Sequence, residues 1–229
     1  MSCTRGCLPC AFPRYNRTIM KRWLLLALLA FPALAQLTVE PAGPCAADGV
    51  SDGVKAVLAN PGYRVKDSSG AAFVEVWLAK AVPTEKSADL PRGADFASIP
   101  ANALLGVIRY AKPGGDFRGQ PIPAGVYTMR YNVHPEDGNH QGVAPGRDFI
   151  LLMPVAVDKD AAAKLSFDEA VELSRKASGT AHPAVLFLSA PESGAKFPAV
   201  RRNSENHDIL QVKIGAVELG ITLVGKSEG

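Results

Sequence analysis

Polar side chains that could bind a ligand or a metal ion are concentrated between His134 and Asp148. Binding groups are often found on loops that a rigid scaffold holds in place, and a ligand site here would use Asn139, His140, Arg147 and Asp148. A metal site would instead use His134, His140 and Asp148, because neutral imidazoles and carboxylates are common ligands of transition metals. The alternative is that the segment consists of turns in which Arg147 and Asp148 pair locally.

A second candidate site involves Glu75 and Trp77. They lie two residues apart in a stretch with strand character, so their side chains share one face. An aromatic ring beside a carboxylate suits the apolar face and the hydroxyls of a sugar. The alternative is a core role for Trp77, with its indole N–H bonded nearby. Glycan binding at this pair is therefore one form of the binding hypothesis.

Catalytic motifs are weak throughout the chain. There is no G-x-S-x-G sequence to present a nucleophilic serine, and Gly114-Gly115 leads toward a strand rather than toward a phosphate-binding helix. Glu136 and Asp137 are adjacent, so a turn would point their carboxylates apart. The sequence favours a non-catalytic protein that binds a ligand, glycan or protein partner and requires no cofactor. The alternative is a metal-dependent hydrolase that uses the 134–148 loop.

Charge is unevenly distributed along the chain. The formal net charge is +3, but residues 1–35 contain five basic residues and no acidic ones, so acids slightly outnumber bases in the remainder. A nucleic-acid-binding domain normally carries a basic surface. The body of the chain lacks that surplus, and we expect no nucleic-acid partner.

The N-terminal 35 residues have the order of a Sec-type signal peptide. Basic residues at 21–22 precede an apolar run at 23–34, and Ala33-Leu34-Ala35 matches an A-x-A cleavage site. Cleavage is predicted after Ala35, with Met20 as an alternative start of translation. The run is too short to span a bilayer, and no later segment is long and apolar enough, so we expect no transmembrane segment in the mature chain. These features predict a periplasmic or extracellular protein.

The elements that must position these residues are mainly strands. Residues 36–49 are rich in Pro, Ala and Gly and are predicted to form a linker, and a short helix is expected near residues 54–58. Ser166 and Glu169 form a capping box, which predicts a second helix ending near Ala177. Nine segments have strand character: 63–66, 72–79, 104–110, 126–133, 149–153, 184–189, 199–202, 209–214 and 217–224. The pattern predicts a single antiparallel β-sandwich of about eight to nine strands over residues 50–229, with one or two short helices.

Alternation along the central strands predicts which side chains form the core. Tyr127, Met129 and Tyr131 share one face of their strand, which we expect to be buried. Phe149, Leu151 and Met153 of the apolar strand at 149–153 should also contribute to this interior. Cys45 is the single cysteine beyond the leader, so the core must hold the fold without an internal disulfide.

The segment Pro123-Ala124-Gly125-Val126-Tyr127-Thr128-Met129 resembles the P-A-G-x-Y-x-L signature of an uncharacterised family of secreted bacterial β-sandwich proteins, with Met129 in the place of Leu. The stretches 137–145 and 147–149 are also similar to exported proteins of this kind. The resemblance implies a β-sandwich fold and a location in the cell envelope or the medium. The family has no assigned activity, so the ligand or partner stays open.

Overall fold

The computed structural model describes residues 37–86, 91–135 and 144–227. In these ranges it contains two helices, α1 (Asp52–Val57) and α2 (Phe167–Ser178). The strands are β1 (Thr38–Ala42), β2 (Gly62–Lys66), β3 (Ala72–Leu78), β4 (Leu104–Tyr110), β5 (Gly114–Gly115), β6 (Pro121–Ile122), β7 (Gly125–Val133), β8 (Asp148–Pro154), β9 (Val185–Ser189), β10 (Ala199–Arg202), β11 (Asp208–Ile214) and β12 (Val217–Val224).

Ten of the strands form one antiparallel sheet in the order β1-β2-β3-β4-β7-β8-β9-β12-β11-β10, while β5 and β6 form a separate small hairpin. The edge strands β1 and β10 also contact each other, which gives the sheet a nearly barrel-like shape. The prediction of a mostly β, antiparallel fold is confirmed. The two-sheet sandwich is corrected to one continuous sheet, because β9 pairs with both β8 and β12 and so joins the two halves.

The inner face of this sheet holds the main hydrophobic core, to which strands from both halves contribute. Tyr127, Met129 and Tyr131 all lie in this core, as their alternation predicted. Leu210, Val212, Leu219 and Ile221 approach from the other half of the sheet, on β11 and β12. Apolar residues from the ten strands of the large sheet therefore meet in a single interior.

The outer face of the sheet is also partly buried. Trp77 and Val107 pack with Val54 of α1, whereas Phe149, Leu151 and Met153 pack with Ala170 of α2 and its neighbours. The expectation that the 149–153 strand contributes these three side chains to the same interior as Met129 is corrected by the register, which pairs Tyr131 with Ile150. Ile150 and Leu152 therefore face the inner core instead.

Helix α2 begins as its sequence predicts. The Ser166 side chain accepts a hydrogen bond from the Glu169 N–H, and the Glu169 carboxylate accepts one from the Ser166 N–H, which completes the capping box. Hydrogen bonds from the Ser166 N–H and the Ser166 hydroxyl lower the pKa of the Glu169 carboxyl. The helix ends at Gly179, which adopts the left-handed conformation common at helix C-termini. Ala170 and Ser174 are fully buried against the sheet.

Residues 38–42, predicted as part of a linker, form the edge strand β1. This strand pairs with β2, and Glu40 bonds Arg64 and Lys66 across the pair. Pro41 is compatible with this position because an edge strand does not need every backbone N–H for pairing. The signal-peptide prediction for residues 1–35 lies outside the described residues. Within the described ranges, no helix has the length and apolar character needed to cross a membrane.

Candidate functional site

A pocket of about 200 Å³ lies on the outer face of the sheet, between β8, β9 and helix α2. Its floor is aromatic and apolar: Phe149 of β8 and Phe187 of β9 are both buried, and Val185 lies beside them. Phe117, from the β5–β6 connection, stacks on Phe187 with ring centroids 5.2 Å apart and an angle of 28° between the planes. These rings form an aromatic floor for the pocket.

One wall of the pocket is a stripe of helix α2. Phe167, Val171 and Arg175 recur every four residues, so they project from the same side of the helix. The Phe167 side chain remains 38% exposed, one of the few large apolar residues so open in the described chain. Ser174 holds the helix against the sheet, since its hydroxyl donates to the Ala184 carbonyl and accepts from the Ala184 N–H, both at 3.1 Å.

The opposite wall is the loop between β5 and β6, whose conformation is held by the buried carboxylate of Asp116. Asp116 is 2% exposed, and it accepts hydrogen bonds from the N–H groups of Arg118 at 3.0 Å and Gln120 at 2.7 Å. It also accepts from the Val185 N–H at 3.2 Å, while the Phe117 N–H donates to the Val185 carbonyl at 2.8 Å. The loop that carries Phe117 and Arg118 is thereby fixed to the start of β9.

Among the described residues that line the pocket, the polar side chains are arginines and histidines. Arg118, Arg175 and His182 are exposed at the opening. His134 is half-buried, and its ring stacks on Phe149 with a centroid distance of 4.3 Å and an interplanar angle of 24°. No aspartate or glutamate is among the described residues that line the pocket. The described residues give the pocket an apolar surface with a basic rim.

Two of the predicted site residues, Arg147 and Asp148, form hydrogen bonds that hold neighbouring segments together. The Asp148 carboxylate is buried and accepts from the N–H groups of Asp95 at 2.7 Å and Phe96 at 3.1 Å, and from the Tyr131 hydroxyl at 2.6 Å. Burial and this contact raise the pKa of Tyr131 well above its usual range. Arg147 donates to the backbone carbonyls of His134 and Arg92. Both side chains hold neighbouring segments of the chain in place.

Glu75 and Trp77 do share the outer face of β3, but both are buried. The Glu75 carboxylate accepts from Arg64 Nε at 2.9 Å and from Arg109 Nε at 2.7 Å. The Trp77 indole N–H donates to the Gly43 carbonyl at 3.0 Å, and its ring packs against helix α1 and its neighbours. Neither side chain presents an open surface to a sugar in this arrangement.

The metal hypothesis combined His134, His140 and Asp148. His140 and Asn139 lie outside the described residues, so the predicted site is described only in part. His134 and Asp148 have the ring contact and hydrogen bonds given above. Among the described residues, no group of three or more histidine, cysteine, aspartate or glutamate side chains is arranged to hold a metal ion.

Comparison with protein families, with curated proteins and with solved structures finds no match to this chain.

Sequence reasoning missed most of the residues that line this pocket. A signal was present in β8 and β9, which are apolar at successive positions and so must be covered on both faces. A second signal was the spacing of Phe167 and Val171 on an amphipathic helix. Of the candidate residues of the 134–148 loop that the structure describes, His134 lines the pocket, whereas Arg147 and Asp148 are not among the lining residues.

Proposed function

We propose that this chain is an exported, non-catalytic binding protein that holds a small apolar ligand in the pocket beneath helix α2. The observation that carries the proposal is an aromatic floor of Phe117, Phe149 and Phe187 that lines a recess, with Phe167 partly exposed beside it. Binding sites for small molecules are typically concave and apolar, with a few polar groups at defined positions. The basic rim supplies those polar groups.

Rigid positioning of both walls supports the proposal. Asp116 fixes the loop that carries Phe117, and Ser174 fixes helix α2 to β9. A preformed pocket loses less conformational freedom on binding than a flexible one, which favours affinity. The proposed export rests on the N-terminal sequence pattern, and N-terminal sequencing of the secreted protein is expected to begin at Gln36.

The binding proposal is tested with N-phenyl-1-naphthylamine, a neutral aromatic probe whose fluorescence rises in apolar surroundings. The purified protein is expected to bind it saturably at one site. Val171→Trp places an indole in the recess and should abolish that binding, because Val171 lines the pocket. Val157→Trp is the matched control, since Val157 is 40% exposed and lies outside the pocket lining.

Circular dichroism should show that both variants retain the β-rich fold. Saturable binding that is equally strong in the Val171→Trp variant and in the wild type would place the probe elsewhere and contradict the proposal. Absence of saturable binding to the wild type would contradict it as well.

A further inference from the structure

The pocket beneath helix α2 has a one-sided charge pattern. Its polar lining consists of Arg118, His134, Arg175 and His182, with no acidic residue among the described lining side chains. The basic groups come from three different parts of the chain: the β5–β6 loop, the end of β7, and α2 with the segment that follows it. Clefts lined by one sign of charge attract ligands of the opposite sign.

Arg118 and Arg175 both lie at the rim of the pocket, but they differ in their contacts with the rest of the protein. The backbone of Arg118 is fixed by its N–H bond to the buried Asp116 carboxylate, while its side chain is exposed. Arg175 forms a 2.9 Å ion pair with Glu172, in which the two side chains are 44% and 64% exposed. An ion pair so open to water contributes little to stability, so Arg175 can exchange Glu172 for a ligand anion at small cost.

The apolar part of the pocket indicates the shape of the ligand. Phe117 stacks on Phe187, and His134 stacks on Phe149, so four of the lining rings form two stacked pairs. Flat aromatic surfaces favour stacked or edge contacts with another ring. Arginine guanidinium groups, in turn, bind carboxylates through two parallel hydrogen bonds.

We infer that the ligand is an aromatic carboxylate, whose ring lies on the phenylalanine floor and whose carboxylate faces Arg118 and Arg175. This inference rests on the proposed binding function and adds the chemical class of the ligand. In this arrangement the two arginines position the carboxylate, and the aromatic side chains of the pocket contact the ring of the ligand.

The test compares naphthalene-2-carboxylate with naphthalene-2-methanol, which have the same ring system but differ in charge. Isothermal titration calorimetry with the purified protein should give a dissociation constant about tenfold lower for the carboxylate than for the alcohol. Raising the salt concentration should weaken binding of the carboxylate and leave binding of the alcohol nearly unchanged, because exposed charges are screened.

The variants Arg118→Ala and Arg175→Ala should each weaken carboxylate binding about three- to fivefold, with less than about a twofold effect on the alcohol. Lys176→Ala is the matched control for Arg175. Lys176 is the next residue of α2, equally exposed and also in the last turn, but it does not line the pocket. It removes the same charge at a similar distance from the helix terminus and should leave both dissociation constants unchanged.

Equal affinity for the carboxylate and the alcohol would overturn the anionic class while leaving the proposed apolar binding function intact. An effect of Lys176→Ala as large as that of Arg175→Ala would show a general charge effect and would also overturn it. If neither compound binds, and the naphthylamine probe does not bind either, both the class and the binding function are wrong.

Discussion

Substituting the buried ion pair between Arg130 and Asp158 gives the strongest test of the packing on the outer face of the sheet. Arg130 is completely buried, and its Nε and Nη2 atoms donate to the Asp158 carboxylate at 2.6 and 2.7 Å. It also donates to the carbonyls of Asn102 at 2.8 Å and Asp160 at 2.5 Å. The Thr128 hydroxyl donates to the same carboxylate at 2.5 Å. The pair thus fastens the segment before α2 to strand β7.

Replacing one partner of the ion pair should lower the free energy of unfolding far more than replacing both. In Arg130→Met, the Asp158 carboxylate stays buried and keeps one side-chain donor, from Thr128. An uncompensated buried charge lowers the free energy of unfolding by about 3 to 5 kcal/mol. Asp158→Leu should lower it by a similar amount, because it leaves the buried Arg130 guanidinium without its carboxylate. The double variant removes both charges and leaves two carbonyls without the Arg130 donor, at about 1 kcal/mol each, so we expect a total near 2 kcal/mol.

Urea unfolding followed by circular dichroism gives these values from the midpoint and slope of the transition. The expected result is that the double variant is more stable than either single variant, with a coupling of several kcal/mol between the two sites. If neither single variant folds, the double variant should still fold. Additive costs in the double variant, or a cost below about 1 kcal/mol for each single change, would refute the argument that the pair is buried and mutually compensated.

Three further predictions follow from the described contacts. Met129→Ala should lower the free energy of unfolding by about 2 to 5 kcal/mol, because Met129 is fully buried in the inner core; urea unfolding measures this. Asp148→Ala should lower it by about 3 to 5 kcal/mol, since the Tyr131 hydroxyl and two backbone N–H groups lose a buried carboxylate, and an unchanged melting temperature would contradict this role. Ser166→Ala should cost about 1 kcal/mol at neutral pH through loss of the helix cap. The Ser166 N–H, which the variant keeps, is the main cause of the lowered Glu169 pKa, and the Ser166 hydroxyl adds to it. The hydroxyl's share favours the folded state above the pKa of the unfolded chain, so the difference between the two proteins should shrink in part as pH falls below about 4, as urea titrations across pH would show.

Local patterns predicted most of the strands and both helices. The alternation of Tyr127, Met129 and Tyr131 indicated the buried face of β7, and the capping box at Ser166 indicated the start of α2. The closure of the sheet was not predictable in the same way. Alternation shows which face of a strand is buried, but it does not show that β9 pairs with β12, because that pairing joins segments distant in sequence.

The candidate site was harder to predict than the fold. The pocket brings together residues from the β5–β6 loop, the two ends of the 134–148 segment, helix α2 and β9, and no spacing in the sequence links them. The polar residues that drew attention, Arg147 and Asp148, instead satisfy backbone groups of neighbouring segments. Residue type indicates what a side chain can bond, whereas its partners depend on the tertiary contacts.

The connection between β8 and β9 has a consequence for adapting this protein to other uses. These strands are antiparallel neighbours, which a tight turn could join, yet the chain between them makes an excursion that contains α2. The excursion supplies one wall of the pocket, whereas the inner core lies on the opposite side of the sheet. Phe167, Val171 and Arg175 line the pocket, whereas Ala170 and Ser174 of the same helix are buried against the sheet. Randomising the first three residues while keeping the other two is therefore a way to retarget the scaffold toward new small molecules.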